Sequence, residues 1–351
     1  MAVTHATLRA VEDLRRRMTT MTDAQTLALT RAWADAWDVL LPEFEAAIVE
    51  LVAEPGEKGY VTRATAARNK RLAAALRAAR TYLDTLAPQA ATTISQDLTT
   101  VMLETVEGHT DIVTTQLPPG TTAASVGFTH VPEEALAAIV ERTTEQIHSS
   151  TRPLPADIER TMKKALIRGI AVGENPRKTA RRLVRETEQR FNGGLTRALV
   201  ISRTEMLDAH RAATKAQEKG NKQVLEDWEW HAKLDGRTCP SCWAQHGSRH
   251  PLEEDGPLDH QQGRCARVSV TKSWKDLGFD IEEPPSLTPD ARTTFDSLDP
   301  ATQREILGPA RLDLLQSGAI SWEDLSTKRS TSGWRDSYGV TPLKNLAPEG
   351  G

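Results

Sequence analysis

All three cysteines of this 351-residue chain fall between positions 239 and 265. Two stand in "TCPSCW", as Cys239 and Cys242, and the third, Cys265, follows in "DHQQGRCARV". A chain this poor in sulfur gathers it in one window only if the sulfurs act together. The window therefore constrains the fold strongly: its surroundings must bring a Cys-x-x-Cys turn and a distant Cys to one point.

The compartment decides how such a pair is read. No apolar run approaches the roughly 20 residues of a membrane span. The stretch "MAVTHATLRAVEDLRRRM" lacks the apolar centre of a secretory signal, so a reducing cytoplasm is expected. There a Cys-x-x-Cys pair reads as a metal or redox site rather than a disulfide. The chain is 38% hydrophobic and 26% charged with a net charge of −4, which permits a large core and shows no global basic excess.

Read as a metal site, the window is Cys239-x2-Cys242, 17 residues, then His260-x4-Cys265. Two thiolates separated by two residues grip one ion from a single turn, and a distant His and Cys close the tetrahedron. Cys3His is a structural zinc set with no open position. Such an ion contributes on the order of 10 kcal/mol to local folding, which a small loop-rich module needs. A thioredoxin-like redox pair is a weaker reading, because a polar turn precedes the cysteines and His260 and Cys265 stay unexplained. A catalytic zinc needs three ligands, an open position and a nearby base. His246, His250, Glu253 and Glu254 lie in the loop, but no matching catalytic signature does. His231 is a spare ligand candidate.

The rest of the chain is mostly helical in pattern. Leu27, Ala34, Trp37, Leu41, Phe44, Ala47 and Leu51 recur near a 3.6-residue period, with Pro42 as a kink or break. "QLPPGTTAASVGF" reads as a linker or turn-rich excursion. Leu195, Ala198, Leu199, Ser202, Met206, Ala209 and Ala213 form one stripe of a closely packed helix. "VLEDWEWHAKLDG" then alternates, with Trp228 and Trp230 on one strand face, a turn at Asp235-Gly236, and a second strand at "ARVSV". A compact helical piece follows from "TPDARTTF" to "SWEDL". The final polar stretch reads as a tail ordered only where something docks it.

Together "ALVISRTEMLDAHRAA", "WEWHAKLDGRTCPSCWAQHG" and "DHQQGRCARV" resemble the phage Mu F-like head morphogenesis domain, the minor head protein family of tailed phages. Ser202, Arg203, Thr204 and Glu205 match its helix element. Trp230, Lys233, Asp235, Arg237, Thr238, Cys239, Cys242 and Gly247 match the middle, and His260, Arg264 and Cys265 the end. Two positions depart: Gln261 replaces a proline, and Gly263 replaces the first Cys of a Cys-Arg-Cys ending. Losing that Cys leaves Cys239, Cys242, His260 and Cys265 as one complete tetrahedral set.

The resemblance implies a structural assembly protein, a minor capsid protein of the virion made in the host cytoplasm. Its implied partners are the portal protein and the major capsid or scaffolding protein, with no membrane. Arg203, Thr204, Glu205, Trp230 and Asp235 are then structural motif residues. The basic segment 160–190 offers Arg177, Lys178, Arg181, Arg182 and Arg185 as contacts to packaged double-stranded DNA or an acidic partner; the plainer reading is a solvated helix face. Two other function classes stand beside assembly: a zinc-dependent nuclease or other hydrolase or effector, and a nonspecific DNA-binding module. The expected fold is mainly α with a small α+β module stapled by zinc. The expected domains are a helical N-terminal arm at 1–125, a Mu F-like domain at 126–272 with the zinc module at 224–270, and a helical C-terminal extension with a tail at 273–351.

Overall fold

A computed structural model describes residues 3–53, 68–150, 194–260, 263–330 and 336–346. The basic residues Arg177, Lys178, Arg181, Arg182 and Arg185 lie outside these. The chain is mostly helical with two small sheets. It divides into two compact units: residues 1–20, 99–140 and 207–351 form the first, and residues 21–98 and 141–206 the second.

In the second unit the core comes from α1 (His5–Ala53) and α2 (Lys70–Gln96). Leu29, Trp33, Ala36, Leu40, Phe44, Ile48 and Leu51 of α1 are buried, as are Leu72, Leu76, Ala79 and Ile94 of α2. Phe44, Ala47 and Leu51 of the expected stripe are buried, whereas its N-terminal half is corrected, since Ala34 is exposed. Leu27 is 50% exposed, and Trp33, Ala36 and Leu40 take the buried positions. Both registers fit a 3.6-residue period, so only the packing partner decides between them. Helix α1 also runs through Pro42 without breaking. A proline removes one backbone hydrogen bond, and the buried side chains on both sides of it hold the helix together. Asn69 starts α2 by accepting a hydrogen bond from the Leu72 amide at 2.7 Å, a side-chain cap on an otherwise unpaired donor.

The first unit contains the cysteine window. Two further long helices of the chain are α3 (Leu98–Thr114) and α4 (Glu133–Ser150), and α5 (Gly194–Lys219) leads into the sheet. The expected α5 stripe is buried at Ala198, Ser202, Met206, Ala209 and Ala213. Strand β1 (Leu225–His231) is central in a three-stranded antiparallel sheet with β2 (Arg249–Pro251) and β3 (Ala266–Thr271) on either side. In register, Trp228 lies opposite His250 on one neighbour and Ser269 on the other. The expected pair of strands is thus present, and β2 is an addition too short to have carried a pattern. Gln116, just past α3, accepts from the Thr271 amide at 3.3 Å and donates to the Ser269 carbonyl at 2.8 Å, which closes part of the β3 edge.

Three short helices, α6 (Pro240–Gln245), α7 (Ala291–Asp296) and α8 (Pro300–Leu307), and a fourth, α9 (Pro309–Gln316), share one apolar cluster. Trp243 is at its centre, fully buried, with the Phe295 ring edge-on at 5.8 Å. The residue after Cys242 is therefore the anchor of the C-terminal helices. The polar tail is more ordered than its composition suggests. Strands β4 (Ser326–Arg329) and β5 (Ser337–Val340) pair as a hairpin. Its docking partner is the chain itself: Ser326 shares a 2.8 Å hydroxyl hydrogen bond with Ser241, and Tyr338 stands edge-on to Trp230 at 5.6 Å.

Candidate metal centre

Strand β1 ends at His231, and a tight turn carries the chain to Cys239. Asp235 organises that turn. It accepts from the Arg237 amide and the Thr238 hydroxyl, each at 3.0 Å. Arg264 then grips both carboxylate oxygens of Asp235, at 2.8 and 2.7 Å. This bidentate pair joins the residue before Cys265 to the turn before Cys239. The Arg264 guanidinium holds the Asp235 carboxyl down at about 2. Asp235, Thr238 and Arg264 thus form a clasp that joins the two halves of the window.

Cys239 is the N-cap of α6, with Pro240 at the first helical position, where its missing N–H costs nothing. One turn of helix then returns Cys242 beside Cys239. The Sγ atoms of Cys239 and Cys242 and a ring nitrogen of His260 lie within 4.8 Å of one another. Cys265 is in hydrogen-bonding contact with Cys242 and lines the same cavity, but lies outside that tight trio. The cavity measures about 390 Å³ and is lined by the four candidate ligands, Thr238, Lys233, Arg237 and Arg264.

The protonation of the cluster follows from this crowding. A hydrogen bond from Cys242, with His260 alongside, pulls the Cys239 thiol down to about 4. Cys242 is pushed the other way by its hydrogen bonds to Cys239 and Cys265 and by burial. The Cys242 thiol thus donates a hydrogen bond to Cys239, whose ionised form it favours. Soft donors packed this closely suit a divalent cation of the zinc type, which takes thiolate and imidazole ligands. The residues present fit such an ion.

Beyond the cluster, the module is held by buried charges. Arg211 of α5 donates to Asp259 at 2.9 Å and to the Cys265 carbonyl at 3.1 Å, and Asp259 accepts from the Cys265 amide at 3.3 Å. A side chain at Gly263 would meet the Asp259 carboxylate at 1.9 Å. This accounts for the missing fifth cysteine: position 263 has no room for it while Asp259 is pinned beneath. Glu218 pairs with Arg267 at 2.6 Å, both side chains fully buried. Arg267 also lies 4.2 Å from the Trp228 ring centre and donates to the Leu252 carbonyl at 3.0 Å. Ser269 links Glu218 to His109, at 2.5 Å on each side.

Several of the loop residues considered as ligands or bases are used elsewhere. His231 is buried against Glu229 at 2.7 Å. The Ala232 amide donates to His246 Nδ1 at 3.0 Å, so His246 Nε2 donates to the Pro289 carbonyl at 3.1 Å. His250 stacks on Trp228 at 4.4 Å and meets Glu254 at 3.3 Å, while Glu253 pairs with Lys222. None of these lines the cysteine cavity. Trp228, Trp230, Trp243 and Trp274 are all buried and pack the unit rather than presenting faces to bases. The helix start at Cys239 is a feature a redox pair would share, but the structure adds His260 and Cys265 to it. Arg203, Thr204 and Glu205 belong to the second unit. The α5 residues that tie this helix to the sheet are Arg211 and Glu218, which carry no local signature.

Fold and site together define a mostly helical protein whose three cysteines and one histidine form a cluster that could hold a metal ion. Residues 160–267 match the family described as Phage Mu protein F like protein. The head-morphogenesis resemblance read from the motifs is thereby shown for that segment. No curated protein and no solved structure matches the chain. No helix among the described residues is long and apolar enough to cross a membrane.

Proposed function

We propose that this is a minor head protein acting in procapsid assembly near the portal, structural rather than catalytic, with one zinc held by Cys239, Cys242, His260 and Cys265. One observation carries the reading: the matched family segment ends within the strand that follows Cys265, and its motif residues build the clasp and donor cluster of the centre. Everything around that cluster serves rigidity. The clasp fixes the turn, Trp243 anchors the C-terminal helices, and Arg211 pins the loop before Cys265. An assembly protein needs such a stiff module to present adhesive faces. Its partners in this reading are the portal protein and the major capsid or scaffolding protein, and its location is the virion.

The test has two parts. Metal content and thermal unfolding are measured for the wild type, Cys265→Ser and His260→Ala. One zinc per chain, lost together with stability in both variants, supports four protein ligands and the structural reading. Zinc retained by Cys265→Ser with a bound water favours the hydrolase alternative. Co-expression with the portal and capsid proteins of the same phage then asks whether the chain is incorporated into heads. Its absence from them would remove the assembly role.

A further inference from the structure

Carboxylates pair two of the three cations that line the cysteine cavity. Three cations line it: Lys233, Arg237 and Arg264. Arg264 is committed to Asp235, and Lys233 shares Glu12 at 3.0 Å. Arg237 is exposed, and its guanidinium has no acidic partner among the described residues. A cation left over at the mouth of a cavity invites two explanations. It attracts an anion from solution, or it balances a negative charge inside.

Charge counting separates them. A divalent ion held by three thiolates and a neutral imidazole carries one net negative charge. Resting on the four-ligand reading above, we infer that Arg237 is the counter-charge of the metal-loaded centre, a positioning residue that raises metal affinity rather than a site for an external anion. Loaded in this way, the cavity is neutral once Arg237 is included, and a phosphate gains little by entering. With only two thiolates on the metal, the centre itself is neutral, and Arg237 remains free to draw in an anion.

Partners just outside a metal's ligands commonly change its affinity by about 10- to 100-fold. Arg237 is exposed, so the lower end applies, and salt screens the effect. Zinc affinity is measured by chelator competition for the full chain as wild type, Arg237→Gln and Arg237→Lys, at low and high ionic strength. Cobalt(II) loading reports the number of bound thiolates through its charge-transfer absorption. The expected result is a three-thiolate spectrum, with Arg237→Gln about tenfold weaker at low salt, the gap closing at high salt, and Arg237→Lys near wild type. Metal-free thermal unfolding should be the same in all three, since the side chain supports no described contact.

Equal affinity in wild type and Arg237→Gln overturns the inference. So does an equal loss in Arg237→Lys, a two-thiolate spectrum, or inorganic phosphate that binds the wild type but not Arg237→Gln. Failure of the wild type to bind any metal would instead overturn the reading on which the inference rests.

Discussion

Glu218→Gln offers the sharpest test of how the strand module is held to α5. The Glu218 and Arg267 side chains are both fully buried and 2.6 Å apart. Neutralising Glu218 leaves the Arg267 charge in the interior. At an effective dielectric near 20, two unit charges about 4 Å apart attract by about 4 kcal/mol. Breaking one half of a buried pair typically costs about 3–5 kcal/mol. The amide oxygen of Gln keeps one hydrogen bond to Arg267, worth about 1 kcal/mol. The expected loss is therefore about 3 kcal/mol, or roughly 6–12 °C in Tm for a unit of this size.

The assay is urea unfolding in the presence of chelator, followed by tryptophan fluorescence, because Trp228, Trp230 and Trp243 are all buried in this unit. Glu226→Gln on the exposed side of β1 is the control and should leave stability unchanged. Glu218→Leu combined with Arg267→Met should recover part of the loss, since the charge is then gone. Recovery stays incomplete because the Leu252 and Glu254 carbonyls lose the donor that Arg267 supplies. A Glu218→Gln loss below about 1 kcal/mol would refute the argument that this pair is an uncompensated liability when halved.

Two further outcomes follow from the same interior. Burial lowers His109 to about 4 and His210 to about 3. Both sit below the ordinary value of 6.5, so the folded state resists the proton. The stability they contribute is complete above pH 6.5 and declines as pH falls toward those depressed values. Each should cost on the order of 1–2 kcal/mol between pH 7.5 and 5. Urea midpoints of the metal-free protein at the two pH values check this, and an equal or higher midpoint at pH 5 would contradict it. Gly263→Cys, which restores the residue found in the related motif, should destabilise rather than help, because its Cβ would strike the pinned Asp259 carboxylate. Calorimetry of that variant beside Gly263→Cys/Asp259→Ala measures the clash; a Gly263→Cys melting as wild type does would show that the loop gives way freely.

Local chemistry made much of the site readable in the sequence. Cys239 and Cys242 need only one turn of chain to meet, and Asp235 caps a turn through residues two and three positions away. Spacing of that kind is visible in a string of letters. The long-range supports are not. Arg211 finds Asp259 across 48 positions, and Glu218 finds Arg267 across 49. Each is an ordinary charged residue on a helix that already contains many, and nothing nearby marks it as buried.

The same distinction runs through the fold. From sequence alone came helices of period 3.6, alternating strands around two tryptophans, and a sulfur cluster with metal-like spacing, because these are properties of a residue and its near neighbours. Tertiary structure alone decided which α1 register faces inward, and that Trp243 anchors the C-terminal helices. It also decided that a polar tail folds back on Trp230, and that Gly263 has no room for a cysteine. Those outcomes depend on surfaces brought together from distant parts of the chain. Burial energy is set by what a side chain meets, and a side chain's own sequence neighbourhood does not name its partner.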